Sequence, residues 1–355
     1  MKKSNIGFIS VAFMYVGTLM GAGFASGREV WQFLGVFGKN GYLGLAIAAF
    51  MFVTIGFMTS RLARIMDTND VGKVIVPGDN NFIKEIVAYF LSIALFLGII
   101  VMSAAGGALF YQQFGLSRVL GGAIVVILVS VSVIGGFERI LSIFRFVMPI
   151  LMGAVIVVCL VVIINNAGAP HAVGTFKPSP LAPNWWLAAL LFFSFNAIGL
   201  IPIVATASIH AKNEKHAYSG AALGGLLISV LVLLILITLL TDMEFTAGKD
   251  MPMLAFSEQL SPVVNMVYVG AMSCAIYVSA TSTFYGFTIK MITGSHRKLK
   301  IIVMAWIGFA LGLIGFTRIV EYVFPFEGFF DVAIIIMLII NFFKTTRKTK
   351  GGISR

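Results

Sequence analysis

The chain has 355 residues, 59% of them hydrophobic and 11% charged, with a mean hydropathy of +1.01 and a formal net charge of +11. Soluble domains carry about 25% charged residues, so this composition excludes a soluble globular protein and specifies an integral membrane protein. The positive excess then belongs to loops on one side of a bilayer, not to a nucleic-acid surface.

A helix needs about 20 apolar residues to cross the hydrocarbon core. By that rule the sequence predicts ten spans, at roughly 5–36, 41–61, 84–111, 117–136, 139–165, 185–209, 218–241, 262–290, 299–317 and 319–344. Lys2 and Lys3 ahead of the first apolar stretch resemble a signal peptide, but the many similar spans that follow favour a first transmembrane segment. That segment is too long for one straight crossing. Within it, "VGTLMGAGFASGREVWQF" (16–33) places Gly17, Gly21, Gly23 and Gly27 ahead of Arg28 and Glu29. Glycine weakens a helix and charge is costly in lipid, so a break is expected there. After the fifth span, "NNAGAPHAVGTFKPSPLAPN" (165–184) reads as a linker because of its prolines. The sixth span carries "FFSFNAIGLIPIV" (192–204), with Ser194, Asn196, Gly199 and Pro202 at mid-depth. A second break is expected at that point.

Loop charge gives the orientation. With the N-terminus inside, the cytoplasmic segments collect all of the 25 basic residues except Arg28, Lys39, Arg118, Lys177, Lys249 and Arg318. This bias supports an even number of spans in the plasma membrane, with both termini cytoplasmic. Cys159 and Cys274 fall inside apolar segments, which argues against a disulfide framework. His171, His210, His216 and His296 are scattered in polar connections without metal-ligand spacing.

Ten spans divide into two sets of five. The expected organisation is a first repeat over 1–165, an extracellular linker over 166–184, a second repeat over 185–344 and a basic cytoplasmic tail over 345–355. An odd number of spans per half makes the second repeat enter from the opposite side, so the repeats are inverted. Interrupted segments at matching positions of two inverted halves are the best sequence pointer to a transporter binding site. Breaking a helix leaves N–H groups at one half-helix end and C=O groups at the other. The N–H end favours an anion such as a carboxylate, and the C=O end favours a cation. A zwitterion together with a sodium ion satisfies both.

The stretch "AFMYVGTLMGAGFASGREVWQF" (12–33) resembles the first span of the YkvI-like bacterial membrane proteins, a family regarded as amino acid permeases. That family resembles the amino acid–polyamine–organocation superfamily with its LeuT-type inverted-repeat fold. The local motif is specific, and the other spans match in number and order. The resemblance implies an all-α membrane protein with discontinuous first and sixth helices. It also implies a cation site between spans one and eight. The carbonyls of Gly17 and Met20 would face the Ser279 carbonyl and the Ser282 and Thr283 hydroxyls in "YVSATSTFYG" (277–286). Proton-coupled relatives tend to place a span-five lysine there. Span five, "FRFVMPILMGAVIVVCLVV" (144–162), has only Arg145, which favours sodium. The substrate pocket would use the N–H groups of Ala22, Gly23 and Phe24, with Phe193, Ser194 and Asn196 opposite. Ser103 and Gly106 in "VMSAAGGALF" (101–110) would add lining.

Charges inside spans are functional suspects. Arg28 and Glu29 follow the break, and Glu327 and Asp331 stand four residues apart on one face of span ten. In the resembled fold these spans meet at the outer vestibule, so Arg28 with Glu327 is the candidate gate. Asp331 is a deeper coupling candidate. The sequence thus points to a sodium-coupled secondary transporter of a small zwitterion, an amino acid or a related compound. The alternatives are a proton-coupled or uncoupled permease of the same fold, or a channel or nutrient sensor. No nucleophile–base or metal constellation marks an enzyme. The expected partners are a small-molecule substrate and the lipid bilayer, with no nucleic acid and no cofactor beyond sodium. The chain would act as a monomer or a homodimer.

Overall fold

Helix starts follow the local polar residues. Asn80 accepts bonds from the Phe82 and Ile83 amides, Asn213 from His216, and Ser261 from Val263, each satisfying N–H groups that a first helical turn leaves open. The computed structural model describes the backbone of residues 6–78, 80–135, 138–166 and 176–352, and the side chains of these except 138–147 and 348–352. Lys2, Lys3, His171, Arg355 and much of the expected linker lie outside the described residues.

In chain order the helices are α1 (Phe8–Leu19), α2 (Ala22–Ser26), α3 (Arg28–Phe33), α4 (Asn40–Met66), α5 (Val71–Ile75), α6 (Asn81–Phe114), α7 (Arg118–Gly135) and α8 (Glu138–Asn165). After the linker come α9 (Trp185–His210), α10 (Glu214–Thr241), α11 (Met243–Ala247), α12 (Pro252–Leu260), α13 (Pro262–Met291), α14 (Arg297–Gly312), α15 (Phe316–Arg318) and α16 (Phe324–Gly352). A π-helical turn over Ile319–Val323 joins α15 to α16. Among the described residues, eight helices are long and apolar enough to cross a membrane. The broken α1–α3 segment and the 16-residue α14 occupy the positions of the expected first and ninth spans. The ninth ends early because the chain reverses at Gly315, whose φ of 100° suits glycine. The expected tail continues α16 as helix to Gly352.

The sixth span is not discontinuous: α9 runs unbroken past Gly199 and Pro202. Its polar residues are absorbed within the helix, since Ser194 donates to the Leu190 carbonyl and Asn196 to that of Phe192, each one turn back.

Packing divides the helices into two groups. α1, α4, α9 and α10 pack on one another, and α6, α7, α13 and α14 form a second set. Glycines bring the first group close: added Cβ atoms at Gly220 and Gly224 of α10 would sit 2.6 Å from Val11 and 2.5 Å from Tyr15 of α1. α8 bridges α10 and α13, while α16 lies against α9. Phe50, Ile93, Val131, Ile164 and Met266 stay exposed on outward helix faces, as lipid contact requires.

The two ends of the assembly differ. At the end holding the start of α1 and the end of α16, called proximal here, Ile6 forms a parallel bridge with Ala211, and Arg64 donates to the Ser208, Ile209 and Ala211 carbonyls. At the distal end the 247–251 segment is a knot. Gln112 exchanges two bonds with the Met251 backbone, Arg118 pairs with Asp250 at 2.8 Å, and Thr317 donates to the same carboxylate at 2.7 Å.

Candidate functional site

The first span breaks twice. Met20 has φ −71° and ψ 51°, and the Gly21 amide bonds the Leu19 carbonyl at 2.7 Å, an inverse γ-turn. Because Gly21 turns to Leu19, the Gly17 carbonyl does not receive the bond an unbroken helix would give it. On the far side, Ala22, Gly23 and Phe24 form the first turn of α2, where N–H groups lack intrahelical acceptors. Ala25 is the first to find one, on the Gly21 carbonyl at 3.0 Å. The second break is Gly27, with φ 76°, where α2 hands over to α3. Ser26 spans it, donating to the Gly23 carbonyl at 2.6 Å and accepting from the Arg28 amide at 3.1 Å.

The two halves have different neighbours. α1 packs on α9 and α10, whereas α2 packs on α13 and α12. The Tyr268 hydroxyl of α13 donates to the Ala25 carbonyl and fixes α2 to that helix. Ser279 lies about three helical turns further along α13, with its Oγ 3.7 Å from where a Cβ on Gly21 would be. The predicted cation residues are therefore gathered in part. Gly17, Met20 and Ser279 surround the break, and Ser282 is half-buried on the same stretch of α13. Thr283 turns away. Its hydroxyl donates to the Ser279 and Ala280 carbonyls and lies against Gly98 of α6.

Several predicted pocket residues are redirected. Ala22, Gly23 and Phe24 are buried at the break as expected. Ser103 donates to Ile100 and faces α14, where an added Cβ on Gly312 would meet its Oγ at 2.3 Å. Gly106 faces Val125 of α7. Neither reaches the break, because that face of α6 is used to approach α7 and α14. Phe193 points to α4, stacking edge-on with Phe52 at 4.9 Å. The ring that meets Phe24 is Phe192, at 5.5 Å. Successive residues of a helix are about 100° apart, and that rotation separates the two phenylalanines. Ser194 and Asn196 are buried on α9 with hydroxyl and amide committed to the helix itself.

The expected Arg28–Glu327 gate is not formed. Arg28 donates to the Lys249 carbonyl at 3.2 Å and the Ala247 carbonyl at 3.5 Å in the distal knot. The acids within its electrostatic range are Asp250 and Glu321. The π turn presents Glu321 there, while Glu327 lies more than a helical turn deeper.

Glu29 has a neighbour that the sequence alone does not reveal. Its Oε1 lies 1.6 Å from where a Cβ on Gly23 would be, so the carboxyl rests on the Cα of the break. Glu29 and Asp331 are both in electrostatic range of Glu327. Glu29 is 5% exposed and Asp331 0%. Glu29 Oε2 and both Asp331 oxygens have no hydrogen-bond partner.

The chain is 24% identical over 339 residues to the uncharacterized membrane protein YkvI of Bacillus subtilis, covering 94% of this chain and 96% of that one. It is 21% identical over 329 residues to YyaD of the same organism, covering 92% and 94%. No protein-family model matches the sequence. Among solved structures it resembles MhsT in complex with L-phenylalanine, with a TM-score of 0.62, 16% identity, and coverage of 97% of this chain and 89% of that one. It also resembles the nucleobase-cation-symport-1 family transporter Mhp1 with bromovinylhydantoin bound, with a TM-score of 0.51, 16% identity, and coverage of 87% and 72%. A manganese transporter of Eremococcus coleocola matches with a TM-score of 0.50, 13% identity, and coverage of 96% and 78%. The chain is a multi-pass helical membrane protein with the LeuT-type fold, and the resemblance to the YkvI-like proteins extends along nearly its whole length.

Proposed function

We propose that this protein is a secondary active transporter that moves a small zwitterion, an amino acid or a related compound, by alternating access coupled to sodium. The observation that carries the reading is the break at Met20–Gly21. It leaves the Gly17 carbonyl without its helical partner, with Ser279 beside Gly21, and leaves the amides of Ala22, Gly23 and Phe24 without intrahelical acceptors. Non-helical backbone at membrane depth is tolerated where it is buried in protein or lines a cavity, and interrupted helices of this kind form the substrate sites of many transporters. The fold likeness to MhsT, which is seen in complex with L-phenylalanine, agrees with an amino acid substrate.

In this account Gly17, Met20, Ser279, Ser282 and Thr283 form the sodium set, with Thr283 rotating from α6 when the ion enters. Phe24 and Phe192 form the apolar side of the substrate pocket. Both termini are cytoplasmic, so the distal knot is the outer seal, and Arg28 with Asp250 and Glu321 is its charged hinge. A thermal-shift screen of purified protein with small zwitterions, in sodium or in potassium as the sole cation, tests the reading. The expected result is a ligand whose shift appears in sodium and shrinks in potassium. Identical behaviour in both cations would remove the sodium site.

A further inference from the structure

The three membrane-depth carboxyls are not used by the sodium–zwitterion scheme. Glu327 and Asp331 share one face of α16, four residues apart. Glu29 reaches the same place from α3, and its carboxyl rests on the Cα of Gly23 at the helix break. Asp331 is completely buried and neither of its oxygens receives a donor, and Glu29 Oε2 is equally bare. Glu327, half-buried, is within electrostatic range of both.

Among the described residues no cation is paired with these carboxyls. α16 is packed against α4, α5, α9 and the π turn, and α3 against α2, α9, α10 and the same turn. Besides the three carboxyls, the titratable groups with described side chains on these elements are Arg28, Glu321, Tyr322 and Tyr42 toward the distal side, and Arg61, Arg64, Lys73, His210, Glu214, Lys215, His216, Tyr218, Lys344 and Arg347 toward the proximal side. Arg28 is held by the Ala247 and Lys249 carbonyls, and Arg64 by those of Ser208, Ile209 and Ala211. Arg61 lies over Phe342, and Lys73 adjoins Asn341, about 15 Å along α16 from Asp331 at 1.5 Å per residue. Among the described residues no group of three acids, histidines or cysteines is arranged for a metal ion. A bare carboxylate in such a site is far costlier than the neutral acid. A proton is the one cation that needs neither a cavity nor a ligand shell.

We propose that Glu29, Glu327 and Asp331 form a proton-binding site beside the broken helix, loaded and emptied once per transport cycle. A carboxylate oxygen takes a proton from water on one side of the membrane, forming an O–H bond, and the same bond releases the proton to water on the other side. Glu29 links the site to the substrate, because any group that displaces its carboxyl from Gly23 moves the proton-carrying member. The proposal rests on the transporter reading for its cycle, and its test separates the two.

The test has two arms on the full chain. Infrared difference spectra of the purified protein should show a carboxylic-acid C=O band that is lost in Asp331→Asn and weakened in Glu29→Gln, with both variants retaining the wild-type melting profile. In proteoliposomes containing a pH-sensitive dye, a radiolabelled mixture of L-amino acids should accumulate several-fold more under an inward proton gradient. That gain should vanish in Asp331→Asn. A wild-type spectrum without the band, or a band unchanged by either variant, overturns the proton site. Uptake that follows a sodium gradient but ignores the proton gradient overturns its role in the cycle. Vesicles inert under every gradient speak against the transporter reading, while the infrared band still decides whether the proton is bound.

Discussion

Gly23 shows how one atom couples local structure to function. Alanine in a helix is worth about 0.5–1 kcal/mol over glycine, so propensity alone expects Gly23→Ala to stabilise α2. The structure predicts the reverse, since the new Cβ would fall 1.6 Å from Glu29 Oε1 and would expel a buried carboxyl. A lowered melting temperature together with lost ligand response is expected. A raised melting temperature with full response would show that Glu29 does not rest there. Gly27→Ala is a backbone test of a different kind. A side chain in the left-handed region costs about 1–2 kcal/mol, and Met253 lies 2.7 Å from the added Cβ. The variant should be destabilised by at least that amount in chemical denaturation, and Gly27→Asn, which tolerates the conformation better, should recover part of it.

Among elements, the broken first span and the distal knot carry the account. An exposed ion pair contributes about 0.2–1 kcal/mol, so Arg118–Asp250 alone matters little to stability. Asp250 also holds Thr317 and lies beside Arg28, so it joins α3, α7 and α15 to one loop. Asp250→Asn should leave the melting temperature nearly unchanged and yet open the distal side, read as faster labelling of a cysteine placed at Ala22. Equal labelling rates would reduce the knot to surface chemistry. Arg28→Ala should lower uptake sharply for the same reason, while unchanged uptake would leave Arg28 a structural residue.

The break in the first span was legible because four glycines weaken the helix just where two charges make an unbroken lipid-facing span costly. The sixth span misled because Ser194 and Asn196 satisfied themselves within α9, an outcome that composition does not reveal. Helix rotation was equally hidden: Phe192 rather than Phe193 meets Phe24, and Ser103 and Gly106 face neighbouring helices. A one-residue error in phase turns a side chain by about 100°, and an apolar span without an exposed polar face gives no phase to read.

At the scale of the whole molecule, a four-helix group of α1, α4, α9 and α10 stands against the set of α6, α7, α13 and α14. The broken span belongs to both: α1 packs with the first group while α2 is fastened to α13 through Tyr268. Relative motion of the two groups would therefore open or close the proposed binding region at Met20–Gly21, and rocking of one repeat or bundle against another is a general route to alternating access. The direct measurement is uptake of radiolabelled L-amino acids into proteoliposomes under an inward sodium gradient, with a matched potassium gradient as control. The account predicts saturable accumulation that depends on sodium and is lost in Gly23→Ala. Ligand binding without accumulation, or a flux that never saturates, would contradict it.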